Sequence, residues 1–471
     1  MATSTTTLVP GAGSPSKTSH SHTDESFVQE FLHTHSDVQF IRFQWVDLSG
    51  ILRARCLPES HALKLARTGQ PLRCGPITVH ALADNSVMPD LPRSGVHELH
   101  PDWASLRTLG SGSSAVYAAV MCSIVERLPP NGNRPDSSIC PRTALTKILH
   151  LALQQWGVQF LVGFEVELVI LRDNKDKNKM DGDPPFVPLC SGPGHYCVAS
   201  TRDPAFHYLQ ECVSELINAG VGVHDFHVEG TLGQFEIALM PLPPMQAVDE
   251  LVRVHDMLKT TVGRHGYTAT MVPKLPGLRQ GSGEHIHVSL APTEHEEHFL
   301  AGLLRHLPGL CAVTMPYTQS YSRIGKLEAG ECADWGTENR DVAVRKVECG
   351  HWEIRCADAS ANMYLALATI LAAGLLGIQE RQPLRLPDAS ASASSVSDGS
   401  HGTDAGSVEV PEKLPRTFGD ALQLLQASVP RLGEILQDDI LSRYVALKQV
   451  ESARLAELDQ EEVDRLMVTF F

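Results

Sequence analysis

Residues 160–171 read Phe-Leu-Val-Gly-Phe-Glu-Val-Glu-Leu-Val-Ile-Leu, an apolar run broken only by Glu165 and Glu167. The pattern predicts a strand, and side chains two residues apart on a strand share a face, so both carboxylates point the same way. Three further segments repeat the device. In 234–239, Phe235, Ile237 and Leu239 alternate against Gln234 and Glu236, with Glu229 just ahead of a Gly230-Thr231-Leu232-Gly233 turn. In 285–290, His285, His287 and Ser289 oppose Ile286, Val288 and Leu290, and in 352–356 Glu353 and Arg355 oppose Trp352 and Ile354. Helical spacing appears between these strands: Leu145, Ile148, Leu149, Ala152, Leu153 and Trp156 form one stripe that stops at Gly157, and Leu209, Val213, Leu216 and Ile217 form another that stops at Gly220. Helices are also predicted over 245–263, 363–378 and 418–458. Near the N-terminus a helix over 25–33 precedes a strand over 38–47 that turns at Leu48-Ser49-Gly50 and returns through 51–57.

Strands interleaved with helices, their polar residues gathered on one face, predict an α+β or α/β catalytic domain. It is placed over 137–471, behind a smaller domain over 24–130, with the polar stretch 129–138 as linker. The Ser-, Thr- and Pro-rich residues 1–23 are expected to be disordered. Residues 388–410, almost all Ser, Ala, Gly and Asp, are expected to form a surface insertion.

A chain of 471 residues with 42% hydrophobic content has room for two such domains. Its net charge of −16, without clustered Lys and Arg, argues against a nucleic-acid partner. The eleven cysteines form no Cys-x-x-Cys pair, which fits a reducing compartment better than a disulfide or zinc framework. The apolar run 363–378 is shorter than a bilayer span of about 20 residues, so it reads as a buried helix and no membrane partner is expected. With no secretory pattern at the N-terminus, a cytoplasmic protein is expected.

Polar alternation on a single strand is the ordinary mark of a half-exposed sheet. Four such strands together are harder to dismiss. Glu165, Glu167, Glu229, Glu236, His285 and Glu353 offer five carboxylates and one imidazole, a donor set suited to two or three Mg²⁺ or Mn²⁺ ions. His20/His22, His33/His35 and His295/His298 lie in polar segments and read as solvated histidines, and Gly110-Ser111-Gly112-Ser113 reads as a loop because no P-loop Lys follows.

Several motifs stand in one order along the chain: Val46-Asp47-Leu48-Ser49-Gly50, Gly163-Phe164-Glu165-Val166-Glu167, Gly233-Gln234-Phe235-Glu236, Pro273-Lys274, Gly281-Ser282-Gly283-Glu284-His285, Asn339-Arg340 with Arg345, and Glu353-Ile354-Arg355 running to Asp358. In these the chain resembles the glutamine synthetases, specifically the class I-like branch of bacteria and fungi. The resemblance implies an α+β fold, a small N-terminal β-grasp domain followed by a catalytic domain with a curved antiparallel sheet. It implies an ATP-dependent ligase that joins the glutamate γ-carboxylate to ammonium or another amine through a γ-glutamyl phosphate. Glu167, Glu229 and Glu236 would hold a first metal, and Glu165, His285 and Glu353 a second. Arg340 and Arg345 would meet the phosphoryl group, Gly281, Arg323 and Arg355 the glutamate, and His287, Ser289 and Arg345 the nucleotide. Glu328 would serve the amine, completed by Asp47 from a neighbouring subunit of a homo-oligomeric ring.

Departures from the family pattern are also legible. The segment Arg323 to Glu328 is one residue short, Glu284 replaces a Met, Met363 replaces a Pro, and His351 stands where bacterial members have an Arg. No Tyr lies in 388–410, so control by adenylylation is not expected. Two alternatives stay open: a catalytically altered scaffold or signalling protein, and a two-metal hydrolase acting through the same ligands.

Overall fold

A computed structural model describes residues 17–91, 94–109, 116–127, 139–174, 184–190, 192–391 and 409–471. The expected linker, the Gly110–Ser113 loop, residues 1–16 of the tail and most of the insertion lie outside the described residues.

The first helix, α1 (Lys17–Thr34), begins ahead of the expected residue 25 and takes in the end of the stretch read as a disordered tail. Strands β1 (Val38–Val46) and β2 (Leu52–Pro58) form the antiparallel hairpin that the alternation predicts. After α2 (Glu59–Thr68) come β3 (Leu72–Cys74), β4 (Val96–Pro101), β5 (Arg107–Thr108) and β6 (Val116–Arg127). Together they make a six-stranded sheet ordered β2-β1-β6-β4-β3, with β5 also on β6. The β1–β6 pair is parallel and the others antiparallel. Ile41, Phe43, Leu99 and Val120 form part of this domain's own buried core.

The larger part begins with α3 (Pro141–Trp156), which ends where Gly157 adopts φ 65°, the left-handed cap that glycine supplies without strain. It continues through β7 (Gln159–Asp173), β8 (Phe186–Pro188), α4 (Pro204–Asn218), β9 (Val223–Val228), β10 (Gln234–Leu239), α5 (Pro244–Arg264), β11 (Thr268–Thr270) and β12 (Glu284–Ala291). Then follow α6 (Glu296–Thr314), β13 (Trp335–Thr337), β14 (Val344–Glu348), β15 (His351–Ile354), α7 (Met363–Glu380), α8 (Phe418–Leu436), α9 (Ile440–Leu455) and α10 (Gln460–Phe470). Nine strands form one curled sheet, ordered β13-β14-β15-β12-β7-β10-β9, with β8 and β11 also on β7. The fold is α+β, as expected.

Helix α7 is long and apolar enough to cross a membrane, yet it is 89% buried inside the protein, packed against α3, α6 and α8. Its contact with α6 depends on glycine: a Cβ on Gly302 would lie 2.4 Å from the Ala373 carbonyl oxygen. The pattern along α6 is hard to read from sequence because Phe299 to Thr314 is buried on nearly every side, which erases the polar stripe that marks a surface helix. His298 corrects one expectation. Rather than being solvated, it is half-buried at the start of α6 and donates through Nδ1 to the Gln382 carbonyl at 2.8 Å. Asn362 caps α7 by accepting from Leu365 N, while its Nδ2 donates to the Asp47 carbonyl at 2.8 Å, tying the two domains together.

Candidate active site

Sheet register decides what the scattered carboxylates can do. Residues directly opposite on paired strands share a face. Glu167 on β7 stands opposite Glu236 on β10, and Glu165 opposite His285 on β12. His287 stands opposite Glu353 on β15, which in turn faces Arg345 on β14. One face of five adjacent strands therefore carries an acidic row, while Phe164, Val166 and Leu168 on the other face of β7 are buried in the apolar core. The row is well enclosed: Glu353 is 0% exposed, His285 5%, Glu167 8% and Glu236 9%.

Within the row, Glu165 bridges two imidazoles. Its Oε2 lies 3.0 Å from His285 Nδ1 and its Oε1 3.1 Å from His287 Nε2. His285 Nδ1 is also 3.2 Å from Glu353 Oε1. Arg355 Nη1 and Arg345 Nη1 both pair with Glu353, at 2.6 and 2.9 Å. Glu167 Oε2 accepts from Gln234 Nε2 at 2.7 Å and from Gly283 N at 2.9 Å. At the outer edge, His227 Nε2 stands 3.1 Å from Glu229 Oε2 and 3.7 Å from Glu236 Oε1.

Charge is unevenly shared. Burial, reinforced by the charges of Glu165, Glu167, Glu229 and Glu353, pushes the Glu236 carboxyl up to about 10. Burial also works against ionisation of Glu165, but hydrogen bonds from His285 and His287 outweigh it and hold that group far below the usual carboxylate range. Glu229 and Glu353 likewise end below it despite burial, the first through His227 and the second through His285, Arg355 and Arg345. The hydrogen bond to Glu229 raises His227, against the effect of burial.

The residues present fit divalent cations. Three sets of ligand atoms lie within 4.8 Å of one another: Glu165–His287–Glu353, Glu165–Glu236–His285 and His227–Glu229–Glu236. His285 Nε2 is buried with no hydrogen-bond partner, 3.8 Å from Glu167 Oε1, so a donor lone pair is available inside an anionic cage. Oxygen ligands with an occasional imidazole are what Mg²⁺ and Mn²⁺ accept. The grouping differs from the expected one: Glu167 falls in none of these sets, and Glu236 also joins Glu165 and His285 across the two expected groups. His287, expected beside the nucleotide, joins Glu165 and Glu353, and His227, which sequence reasoning missed, joins Glu229 and Glu236. A signal for His227 was present: it stands two residues before Glu229.

A family model for the glutamine synthetase catalytic domain matches residues 138–466. The chain belongs to the glutamine synthetase family. The members are ligase-type enzymes that use ATP and divalent metals. The chain is 31% identical over 438 residues to the protein fluG of Emericella nidulans, an alignment covering 92% of this chain and 49% of that one. It thus spans about half the length of that relative. It is 30% identical to the gamma-glutamylpolyamine synthetase GlnA3 of Streptomyces coelicolor, over 74% of this chain and 78% of that protein. Among solved structures, a novel glutamine synthase homolog superimposes with a TM-score of 0.73 at 25% identity, covering 92% of this chain and 99% of that one.

The other positions carried over from the glutamine synthetase pattern are differently placed. Arg323 is 1% exposed, and its Nη1 donates to the Ala357 carbonyl at 2.7 Å. Gly281 packs so closely against it that a Cβ there would lie 2.5 Å from Arg323 Cγ. Glu328 sits in a tight turn closed by Gly325 and Gly330, its Oε2 accepting from Gly281 N at 3.4 Å, and burial raises its carboxyl. Ser289 is half-buried opposite His351, whose Nε2 lies 3.0 Å from His287 Nδ1. Arg340 is exposed.

Asp47 is not brought to the row. Its carboxylate is 0% exposed, accepting from Ser49 N and Ile51 N at 3.0 Å and from Arg53 Nε at 2.8 Å. Burial lifts it to about 6 against the pull of Arg53. Within the chain the group is enclosed by its own turn, apart from the row it was expected to complete from a neighbouring subunit. Glu284, the departure from Met, is fully buried on the far side of β12, where His255 Nε2 on α5 pairs with it at 2.8 Å.

Proposed function

We propose that this chain is an ATP-dependent ligase joining the γ-carboxylate of glutamate to an amine through a γ-glutamyl phosphate. The observation that carries the reading is the register that sets Glu167, Glu236, Glu165, His285, Glu353 and Arg345 side by side on one enclosed face.

A carboxylate is a poor electrophile, and converting it to an acyl phosphate removes that obstacle. The γ-phosphoryl group passes to a carboxylate oxygen as ADP leaves. The amine nitrogen then bonds to the acyl carbon, inorganic phosphate leaves with the C–O bonding electrons, and the nitrogen gives up a proton. Bound Mg²⁺ or Mn²⁺ would neutralise the charge gathered during phosphoryl transfer. Arg345 and Arg355, anchored on Glu353, hold positive charge at the end of the row where phosphoryl oxygens would collect. Arg355 also donates through Nη2 to the Leu327 carbonyl at 3.1 Å, which sets it between the row and the 325–330 turn. In that turn Glu328, made more basic by burial, is placed to accept the proton of the attacking amine. The name of GlnA3 in Streptomyces coelicolor supports an amine larger than ammonium within this family branch.

Phosphate release from ATP, assayed with Mn²⁺ and with glutamate and amine each omitted in turn, tests the reading. Release that needs both substrates supports it, and release that ignores glutamate sinks it. The enclosed carboxylate of Asp47 favours a second reading, a scaffold that keeps the metal sites without turnover. Divalent cation binding without glutamate- and amine-dependent phosphate release would identify that case.

A further inference from the structure

Gln234 is uncharged and 1% exposed, buried among the carboxylates of the row. It opens β10 two residues before Glu236 and so shares its face. Glu236 stands opposite Glu167 and Gln234 opposite Val169, which makes Gln234 the diagonal neighbour of Glu167 across the β7–β10 pair. Both ends of its amide are engaged. Nε2 lies 2.7 Å from Glu167 Oε2, 3.0 Å from the Gly281 carbonyl oxygen and 3.3 Å from Ser282 Oγ, while Oε1 accepts from Thr231 N at 3.2 Å. A carboxylate and a carbonyl oxygen only accept, and a backbone N–H only donates, so the surroundings fix which way the amide points.

The groups joined by this one side chain belong to different parts of the site. Glu167 is on β7, Gly281 and Ser282 lie just ahead of β12, and Thr231 is in the turn that follows Glu229. Gly283 N also donates to Glu167 Oε2, at 2.9 Å. Both bonds fall on the same oxygen, and the other, Oε1, stands 3.8 Å from the unpartnered His285 Nε2. Farther along, Gly281 N donates to Glu328 Oε2 at 3.4 Å and Ser282 N to the Pro273 carbonyl at 3.0 Å, so the 281–283 segment is held between Gln234 and the Glu328 turn. The main-chain carbonyl of Gln234 separately accepts from Glu229 N at 2.9 Å, a bond that does not depend on the side chain.

We propose that Gln234 is a positioning residue with two outputs. Its amide holds one oxygen of Glu167 so that the other is aimed at a cation bound beside His285, and the same amide sets the 281–283 segment, which the family pattern assigns to glutamate. A ligand carboxylate already held by a partner loses less freedom when the cation arrives, and removing such partners costs metal affinity. The effect on glutamate rests on the ligase reading. The effect on the cation does not.

Mn²⁺ is titrated calorimetrically into the metal-free full chain, wild type and Gln234→Met, and KM for glutamate and for ATP is measured on the same preparations. Methionine fills a similar volume and makes none of the four contacts. The expected result is one Mn²⁺ binding event weakened about tenfold to a hundredfold and a glutamate KM raised about tenfold, with the ATP KM little changed. A substitution that only destabilises the fold lowers the bound stoichiometry and kcat but leaves each dissociation constant and KM where it was. Absence of Mn²⁺ binding to the wild type, or dissociation constants that the substitution leaves unchanged, overturns the proposal, as does an ATP KM that rises as much as the glutamate KM. If the wild type shows no glutamate-dependent turnover, the ligase reading falls and the calorimetric result alone decides for or against Gln234. Should Gln234→Met not fold, Gln234→Asn, which keeps an amide but is one methylene too short to reach Glu167 and Thr231 together, is put to the same test with the same outcomes.

Discussion

Lys448 and the acidic row both bury several charges, and they resolve the electrostatic cost in opposite ways. Around Lys448, which is 0% exposed, positive and negative groups are matched one to one. Its Nζ lies 2.6 Å from Glu451 Oε2 and 3.7 Å over the Tyr317 ring. Glu451 Oε1 accepts from Ala83 N at 2.9 Å, and nearby Asp47 is paired with Arg53. In the acidic row, Glu165, Glu167, Glu229, Glu236 and Glu353 outnumber the cations beside them, since Arg345 and Arg355 both spend their charge on Glu353. Buried charge by itself says nothing about function. An excess of one sign on one enclosed face does, because it is tolerated only if a proton or a cation comes in from solution.

The largest effect expected from this contrast comes from unbalancing the matched cluster. Lys448→Met strands Glu451 in the interior and should cost about 3–5 kcal/mol in denaturant unfolding, most of it recovered in a Lys448→Met/Glu451→Leu double variant. A single variant as stable as the wild type would break the comparison. Glu236→Gln should have the opposite sign. It removes a carboxyl crowded by like charges, so the metal-free protein should gain on the order of 1 kcal/mol, while the rise in thermal midpoint on adding Mn²⁺ shrinks. A loss of metal-free stability would show that the row is balanced after all.

Next in size is the pH dependence. The folded-state value for Glu236, about 10, lies above the ordinary 4.5, so the native state binds the extra proton between them. Stability linked to this group is full below the ordinary value and is lost as pH rises toward the folded one. Glu165, Glu229 and Glu353 are shifted downward, and their contributions disappear only in acid. His227, shifted upward, adds to the loss on the alkaline side. Relative to the Glu236→Gln variant, the thermal midpoint of the metal-free protein should therefore fall between about pH 6 and 9, and saturating Mn²⁺ should flatten that difference. An equal slope with and without metal would separate the pH dependence from the row. The smallest effect belongs to the double variant Glu284→Met/His255→Leu, which replaces the whole buried pair by apolar side chains and should change stability by no more than about 1 kcal/mol.

Much of the site was legible in the sequence because a strand makes it so. The period of two placed Glu165 with Glu167, His285 with His287 and Glu353 with Arg355, and the sheet then had only to bring those faces into register. Chain order does not encode contacts between distant elements, and there the reading ran out. His255 and Glu284 meet through the packing of α5 on β12, and nothing in either local pattern announces it. Tyr196 sits in a Gly- and Pro-rich loop without periodicity, and its position over His227 depends on left-handed backbone held by Glu229 and Val228. Asp47 was placed by likeness alone. The chain's own turn encloses it, through hydrogen bonds from Ser49 and Ile51 that a motif match does not report. Helix α6 was hidden for a different reason: with almost no polar face, it leaves no periodic trace.

Calorimetric titration of Mn²⁺ into the metal-free protein near neutral pH, repeated on Glu165→Gln, tests most directly whether the acidic row is a divalent-cation site. Glu165 belongs to two of the three ligand sets, so its loss should weaken more than one binding event. Micromolar binding at two or more sites in the wild type, largely lost in the variant, is the expected result. No heat of binding in the wild type, or the same isotherm from both proteins, would contradict it.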